Sequence, residues 1–224
     1  MNFLKRSLYG AFVGSLRTYR AAFLDLCVHG RDRIPPGPKI FVTNHITSTD
    51  PFWVLPEFGE FVHIIIGPGY QSRWAEWLLD RFEQINAMPG HRKSVVDKAV
   101  DYLQKGESVY TAPEGDIQDG FELGHFYTGV ARIYRRTLAP IIPIALVAPR
   151  ESRKAHPRWD LHVGDRTYRA VYVLRGPYSI RIGQPFRPDC GGVENNAENG
   201  RITAELRARM AALVEATRVE RGWS

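Results

Sequence analysis

The chain has 224 residues, 44% hydrophobic and 24% charged, enough for one large domain or two small ones with a real core. Its formal net charge of +6 suits an anionic partner such as an acidic membrane face or a phosphorylated substrate, but no zinc-finger spacing, RNA-recognition signature or long basic run points to nucleic acid. Two cysteines, Cys27 and Cys190, make neither a disulfide framework nor a zinc site, a usage that fits a reducing compartment.

Residues 1–27 read as one helical unit. Phe3, Leu4, Leu8, Phe12, Leu16, Tyr19, Phe23 and Leu26 recur at steps of three and four, interrupted by Lys5, Arg6, Arg17 and Arg20. The longest charge-free run, Ser7 to Leu16, is about half of what a bilayer crossing needs. No small-residue cleavage site follows a clean apolar stretch, so a signal peptide is not indicated. The pattern suits a helix or helix pair lying in a membrane interface, or a helix packed on its own domain. Residues 1–29 are therefore set apart as an interface segment, with 30–224 as the main domain.

Gly30 to Pro38 is a proline- and glycine-rich connector. Lys39-Ile40-Phe41-Val42 reads as a short buried strand and Phe52-Trp53-Val54-Leu55 as a helical turn. Between them lies Thr43-Asn44-His45-Ile46-Thr47-Ser48-Thr49-Asp50-Pro51. On a helix, five positions would turn His45 and Asp50 roughly 140° apart, so a turn at Thr47, Ser48 and Thr49 is needed to bring them together. If they meet, the carboxylate fixes the imidazole tautomer and stabilises its charged form, leaving the other ring nitrogen as a base for a hydroxyl proton. The same residues also read as Asp50 capping a helix, Pro51 at its first position and His45 as an ordinary loop histidine.

Phe61 to Ile66 is a strand ended by Gly67-Pro68-Gly69. Gln71 to Phe82 reads as a helix with Trp74, Trp77 and Leu78 on one side, and Ile85 to Met88 as a short strand. Pro89 to Lys93 is a turn carrying Arg92 and Lys93. Ser94 to Gln104 is an amphipathic helix capped by Ser94 and ended by Gly106, and Glu107 to Thr111 is the next strand. Ala112-Pro113-Glu114-Gly115-Asp116 follows, then a loop running into a helix over 121–136. Ile141 to Leu146 is another strand, whose internal Pro143 suggests an edge or a bulge. Residues 149–168 read as an exposed excursion, 170–174 and 178–182 as strands, 189–200 as a loop, and Ile202, Leu206, Met210, Leu213 and Thr217 as a final helix. The alternation gives an α/β class with a mixed, mostly parallel sheet flanked by helices.

Taken together, Asn44-His45-x4-Asp50, Pro113-Glu114-Gly115 about seventy residues later, and Ile141-Ile142-Pro143-Ile144 resemble the glycerolipid acyltransferases of the PlsC type, the lysophosphatidic acid acyltransferase family. The resemblance covers roughly residues 28–190. It implies that fold, and direct transfer of an acyl group from acyl-CoA or acyl-carrier protein to a lysolipid hydroxyl. His45 and Asp50 would be catalytic. Asn44, Arg92, Lys93, Glu114, Gly115 and Asp116 would surround the acceptor. No metal or bound cofactor is implied. The implied partners are membrane lipids, and the implied place is the cytoplasmic face of a membrane, peripheral or monotopic.

Two departures concern the acceptor. The family has threonine and arginine after glutamate-glycine, where this chain has Asp116 and Ile117, and an arginine after the short strand, where it has Met88 or Pro89. A carboxylate at 116 would repel a phosphate. Either Arg92 and Lys93 substitute, or the acceptor is a non-phosphate polar lipid or glycolipid. A catalytically silent membrane-surface protein and a hydrolase are the competing readings, the latter without the glycine-x-serine-x-glycine elbow of esterases.

Overall fold

The computed structural model describes residues 3–118, 121–190 and 195–223, with Phe3 and Leu4 as backbone only. Part of the loop expected over 189–200, and the Phe3 and Leu4 side chains of the apolar stripe, fall outside that description. In chain order the elements are α1 (Phe3–Phe23), β1 (Leu24–His29), β2 (Ile40–Thr43), α2 (Asp50–Phe58), β3 (Val62–Ile66), α3 (Arg73–Arg81), β4 (Ile85–Asn86), α4 (Val95–Gln104), β5 (Ser108–Thr111) and α5 (Gly129–Thr137). Then come β6 (Ile141–Val147), β7 (Lys154–Ala155), β8 (Leu161–Val163), β9 (Arg166–Tyr168), β10 (Val171–Tyr172), β11 (Gly176–Ile182) and α6 (Asn196–Glu220).

The main sheet has the order β1-β11-β6-β2-β5-β3-β4. Strands β6, β2, β5, β3 and β4 are parallel, β11 is antiparallel to β6, and β1 is parallel to β11. Strands β2 and β6 are buried along their whole length, so they read as near-continuous apolar runs. One face packs Val96, Val100, Ile133, Leu206 and Met210 of α4, α5 and α6 against Ile40, Val42 and Ile141. The other packs Trp53, Val54 and Phe58 of α2 against Phe41, Ile142 and Ile144, with Leu16 and Tyr19 of α1 behind them.

Three expectations change. The helix expected to residue 27 stops at Phe23, and Leu24–His29 joins the sheet. Leu24, Leu26 and Val28 carry a period of two that packs on the α2-side core, and it overlaps the three-step from Phe23 to Leu26. The strand holding Pro143 is neither an edge nor bulged; it lies between β2 and β11. The Pro143 carbonyl accepts from Gly183 N at 2.8 Å, so the imide nitrogen faces the same side, just where β11 has ended at Ile182. Ser94 does not cap α4; its hydroxyl donates to the His91 carbonyl.

Helix α1 is docked as well as displayed. Arg20 is buried and pairs with buried Glu57 of α2 at 2.7 Å. Arg17 donates to Pro56 O, Tyr9 to Glu60 O, and the Tyr19 ring stacks on Trp53 at 5.3 Å. Its far side leaves Leu8, Phe12 and Phe23 exposed, with Phe52 of α2 beside Phe12. The paired Trp74 and Trp77 of α3 are 70% and 65% exposed, so that helix turns its aromatic side outward.

Candidate active site

His45 lies two residues beyond β2, and Glu114 three beyond β5, at the carboxyl ends of adjacent parallel strands. This is the end at which open α/β sheets bind ligands. The turn between them and α2 is pinned from outside, with Ser48 N donating to Val171 O and Gln118 N to His45 O. Trp53 Nε1 donates to Val173 O from the first turn of α2.

Asp50 is fully buried at the start of α2 but does not act as a cap, since Thr49 occupies that position. Its carboxylate turns back into the loop. Oδ2 accepts from Ile46 N at 2.7 Å, Thr47 N at 2.9 Å and His45 Nδ1 at 2.9 Å. Oδ1 accepts from Thr47 Oγ1 at 2.5 Å and from the hydroxyl of fully buried Tyr178 at 2.9 Å. Hydrogen bonds to an ion contribute about 1.5–3 kcal/mol each, which is how a carboxylate is held in this interior. Tyr178 comes from β11, 128 residues away, and no local pattern marks it.

With Nδ1 on Asp50, the nitrogen left to a ligand is Nε2, and the His45 side chain is 25% exposed. Burial alone would lower its pKa, but the hydrogen bond and charge of Asp50, helped by Glu114 and Asp116, raise it above 6.5. Glu114 holds the backbone in place: one carboxylate oxygen accepts from His45 N at 2.6 Å and the other from Gly124 N at 2.7 Å. Its burial pushes the carboxyl up to about 7, against the two backbone donors and the charge of His45. Gly115 has φ +66°, and a Cβ there would meet the Tyr127 ring at 3.3 Å, which accounts for the glycine.

Two chambers share His45, Gly67, Thr111 and Gly115. One is about 450 Å³ and runs between the strand ends, α4 and α5; the other, about 260 Å³, lies under Trp159, Leu161 and Tyr172 of the excursion. Arg92 lines the larger and Asp116 the smaller, while Gly115 lines both. Lys93 is exposed and lines neither. Asn44 does not face the acceptor space: its amide donates to Leu146 O at 2.9 Å and accepts from Leu146 N at 2.7 Å, tying β2 to β6. Glu114 acts through the backbone and lines neither chamber. Arg132 and Arg166, not singled out in the sequence, line the larger one. The Cys27–His29 pair sits on edge strand β1 and lines neither. Among the described residues, no group of three or more His, Cys, Asp and Glu side chains is placed to hold a metal.

The family model described as Acyltransferase matches residues 25–147. The chain is 25% identical over 136 residues to the chloroplastic 1-acyl-sn-glycerol-3-phosphate acyltransferase LPAT1 of Arabidopsis thaliana, a match covering 56% of this chain and 36% of that protein. It is 25% identical over 131 residues to the chloroplastic 1-acyl-sn-glycerol-3-phosphate acyltransferase BAT2 of Brassica napus, a match covering 54% of this chain and 36% of that protein. The chain thus spans about a third of the length of these curated relatives. The fold is similar to the crystal structure of the 1-acyl-sn-glycerophosphate acyltransferase PlsC from Thermotoga maritima, with TM-score 0.62 and 18% identity, covering 93% of this chain and 80% of that one. With more than half of its length matched, and His45, Asp50 and Glu114 inside the match, the chain belongs to the Acyltransferase family.

Proposed function

We propose that the protein is an O-acyltransferase working at a membrane surface, moving a fatty acyl group from acyl-CoA or acyl-carrier protein to a lysolipid hydroxyl such as that of 1-acylglycerol-3-phosphate. The observation that carries this reading is the 2.9 Å His45 Nδ1–Asp50 bond on a histidine that lines two adjoining chambers. Nε2 of His45 takes the hydroxyl proton as the oxygen attacks the thioester carbonyl carbon. The tetrahedral intermediate collapses, the C–S bond breaks, and the thiolate takes the proton back from the imidazolium. The products are an ester and a thiol, and no acyl-enzyme is required. Asp50 fixes the tautomer and stabilises the imidazolium. The similarity to two 1-acyl-sn-glycerol-3-phosphate acyltransferases supports the acceptor class.

Support for a membrane surface comes from three exposed apolar regions. These are the Leu8–Phe12–Phe52 group, the Trp74–Trp77 pair, and Trp159 with Leu161 at the smaller chamber. Tryptophan suits the headgroup region, and basic charge suits anionic lipid. Among the described residues, no helix is long and apolar enough to cross a membrane.

The test is incubation with labelled acyl-CoA and a panel of phosphorylated and unphosphorylated lysolipids. Label in a diacyl lipid is the expected result. Label recovered only as free fatty acid would replace this reading with a hydrolase, and no turnover with any donor would replace it with a silent surface protein.

A further inference from the structure

Among its described lining residues the smaller chamber carries one acidic side chain, Asp116, together with several aromatic rings. Asp116 is exposed, and its Oδ1 accepts from Ile117 N at 2.9 Å within its own loop, which leaves Oδ2 for a ligand. Its charge is close enough to act on His45, so a group held there lies near the reacting centre. Arg169 lines the same space but is already engaged and is not a free counter-charge. A carboxylate in this position disfavours a phosphate and favours a cation.

The rings narrow the kind of cation. Trp159 and Tyr172 both line the chamber, and their planes meet at 90° with centroids 5.3 Å apart, so they form a corner. His156, outside the chamber wall, braces that corner: its ring stacks on Trp159 at 4.8 Å and lies 5.5 Å from Tyr172. The corner is tied to the His45–Asp50 turn, because Ser48 N donates to Val171 O at 2.7 Å and Tyr172 pairs with Lys154 in the β7–β10 ladder. Trp159 is nevertheless 56% exposed, a large ring left uncovered on the chamber wall. Aromatic faces attract alkylammonium groups, and a carboxylate in the same cavity adds the opposite charge. About 260 Å³ suits a headgroup rather than a whole lipid.

We infer that the smaller chamber binds a cationic headgroup, an alkylammonium group held by Asp116 and the Trp159–Tyr172 corner, and that this group belongs to the acceptor lipid. Only the assignment to the acceptor rests on the acyl-transfer reading; the cation site does not. The lysolipid of that reading is thereby narrowed to one bearing an ammonium group, as ethanolamine and choline headgroups do, in preference to a bare phosphate monoester.

The test uses the full chain in two parts. First, choline, ethanolamine and dimethylbutanol, the uncharged carbon isostere of choline, are titrated by NMR into wild type, Asp116→Asn, Trp159→Leu, and Lys98→Gln as an exposed control on α4. In wild type and the control, at least one amine should bind saturably, on the order of tenfold tighter than the isostere, and each chamber variant should lose most of that difference. All three substituted side chains are exposed, and circular dichroism checks the fold. No amine binding in wild type, isostere binding as tight as choline, or unchanged binding in both chamber variants overturns the site whether or not acyl transfer is found. Second, KM is compared in wild type and Asp116→Asn for lysophospholipids with choline, ethanolamine and glycerol headgroups. A rise confined to the amine headgroups assigns the cation to the acceptor and tells the quaternary from the primary amine. An equal rise for all three, or a wild type that favours the glycerol headgroup, overturns that assignment. Amine binding in a protein without acyl transfer keeps the cation site and removes the acceptor role together with the reading it rests on.

Discussion

At the residue scale the site is two carboxylates serving one histidine, Asp50 on the ring and Glu114 on the backbone. The spacing of His45 and Asp50 and the Pro-Glu-Gly run were legible because each is local. The buried partners were not, because Tyr178 and Leu146 reach the loop only through the sheet. Tyr178→Phe removes one of the five hydrogen bonds to Asp50. We expect about 1–3 kcal/mol less stability by thermal melting, and a lower kcat with KM nearly unchanged. A wild-type melting curve together with wild-type kcat would remove Tyr178 from the account. The pH dependence has a definite sign. His45 holds its proton more tightly in the folded protein, so that stabilisation is complete below pH 6.5 and is lost as pH rises through the raised pKa. The base must be neutral, so the acid limb of kcat/KM lies above 6.5, where Glu114 at about 7 also titrates. Asp50→Asn removes the larger raising influence and moves the limb to lower pH on a lower plateau. A limb that stays in place in Asp50→Asn would show that Asp50 does not set it.

At the element scale, α1 and β1 show where periodicity misleads. The three- and four-residue stripe correctly marked a helix, yet it could not reveal that Arg20 points inward at Glu57 or that the next six residues form a strand. Deleting residues 1–27 would therefore remove sheet pairing and leave Glu57 without its buried partner, confounding any membrane assay. Removing one member of a buried pair costs about 3–5 kcal/mol, so Glu57→Ala should lower the melting temperature strongly and expose α1 to protease. A melting temperature unchanged in Glu57→Ala would show that the pair does not hold α1. The cleaner membrane test is Leu8→Asp/Phe12→Asp, because both side chains lie on the exposed side. The variant should fold normally and lose most binding to anionic vesicles in a flotation assay; undiminished flotation would exclude that face. The turn after β1 is equally specific. Gly30 has φ +81°, and a Cβ there would lie 2.3 Å from Ile182 O, so Gly30→Ala should disrupt the β1–β11 edge and lower the yield of folded protein.

For the whole molecule, the order of parallel strands brings the site together. Chain segments around residues 45, 67, 92, 115 and 132 meet because β2, β5 and β3 end side by side and α4 and α5 flank the strand ends. The α/β class and most strands were legible from apolar runs and turn residues. The chamber-lining arginines were not, since nothing local marks the exposed Arg132 and Arg166 as neighbours of the strand ends. Central to the account is His45 as the base in acyl transfer. The most direct measurement follows thiol release and diacyl-lipid formation together, in wild type and His45→Ala at pH 8, with equal melting temperatures as the check on folding. The expected result is coupled release and acylation in wild type, with a loss of about 10²–10⁴-fold in both for His45→Ala. A folded His45→Ala protein working within a few-fold of wild type would contradict it.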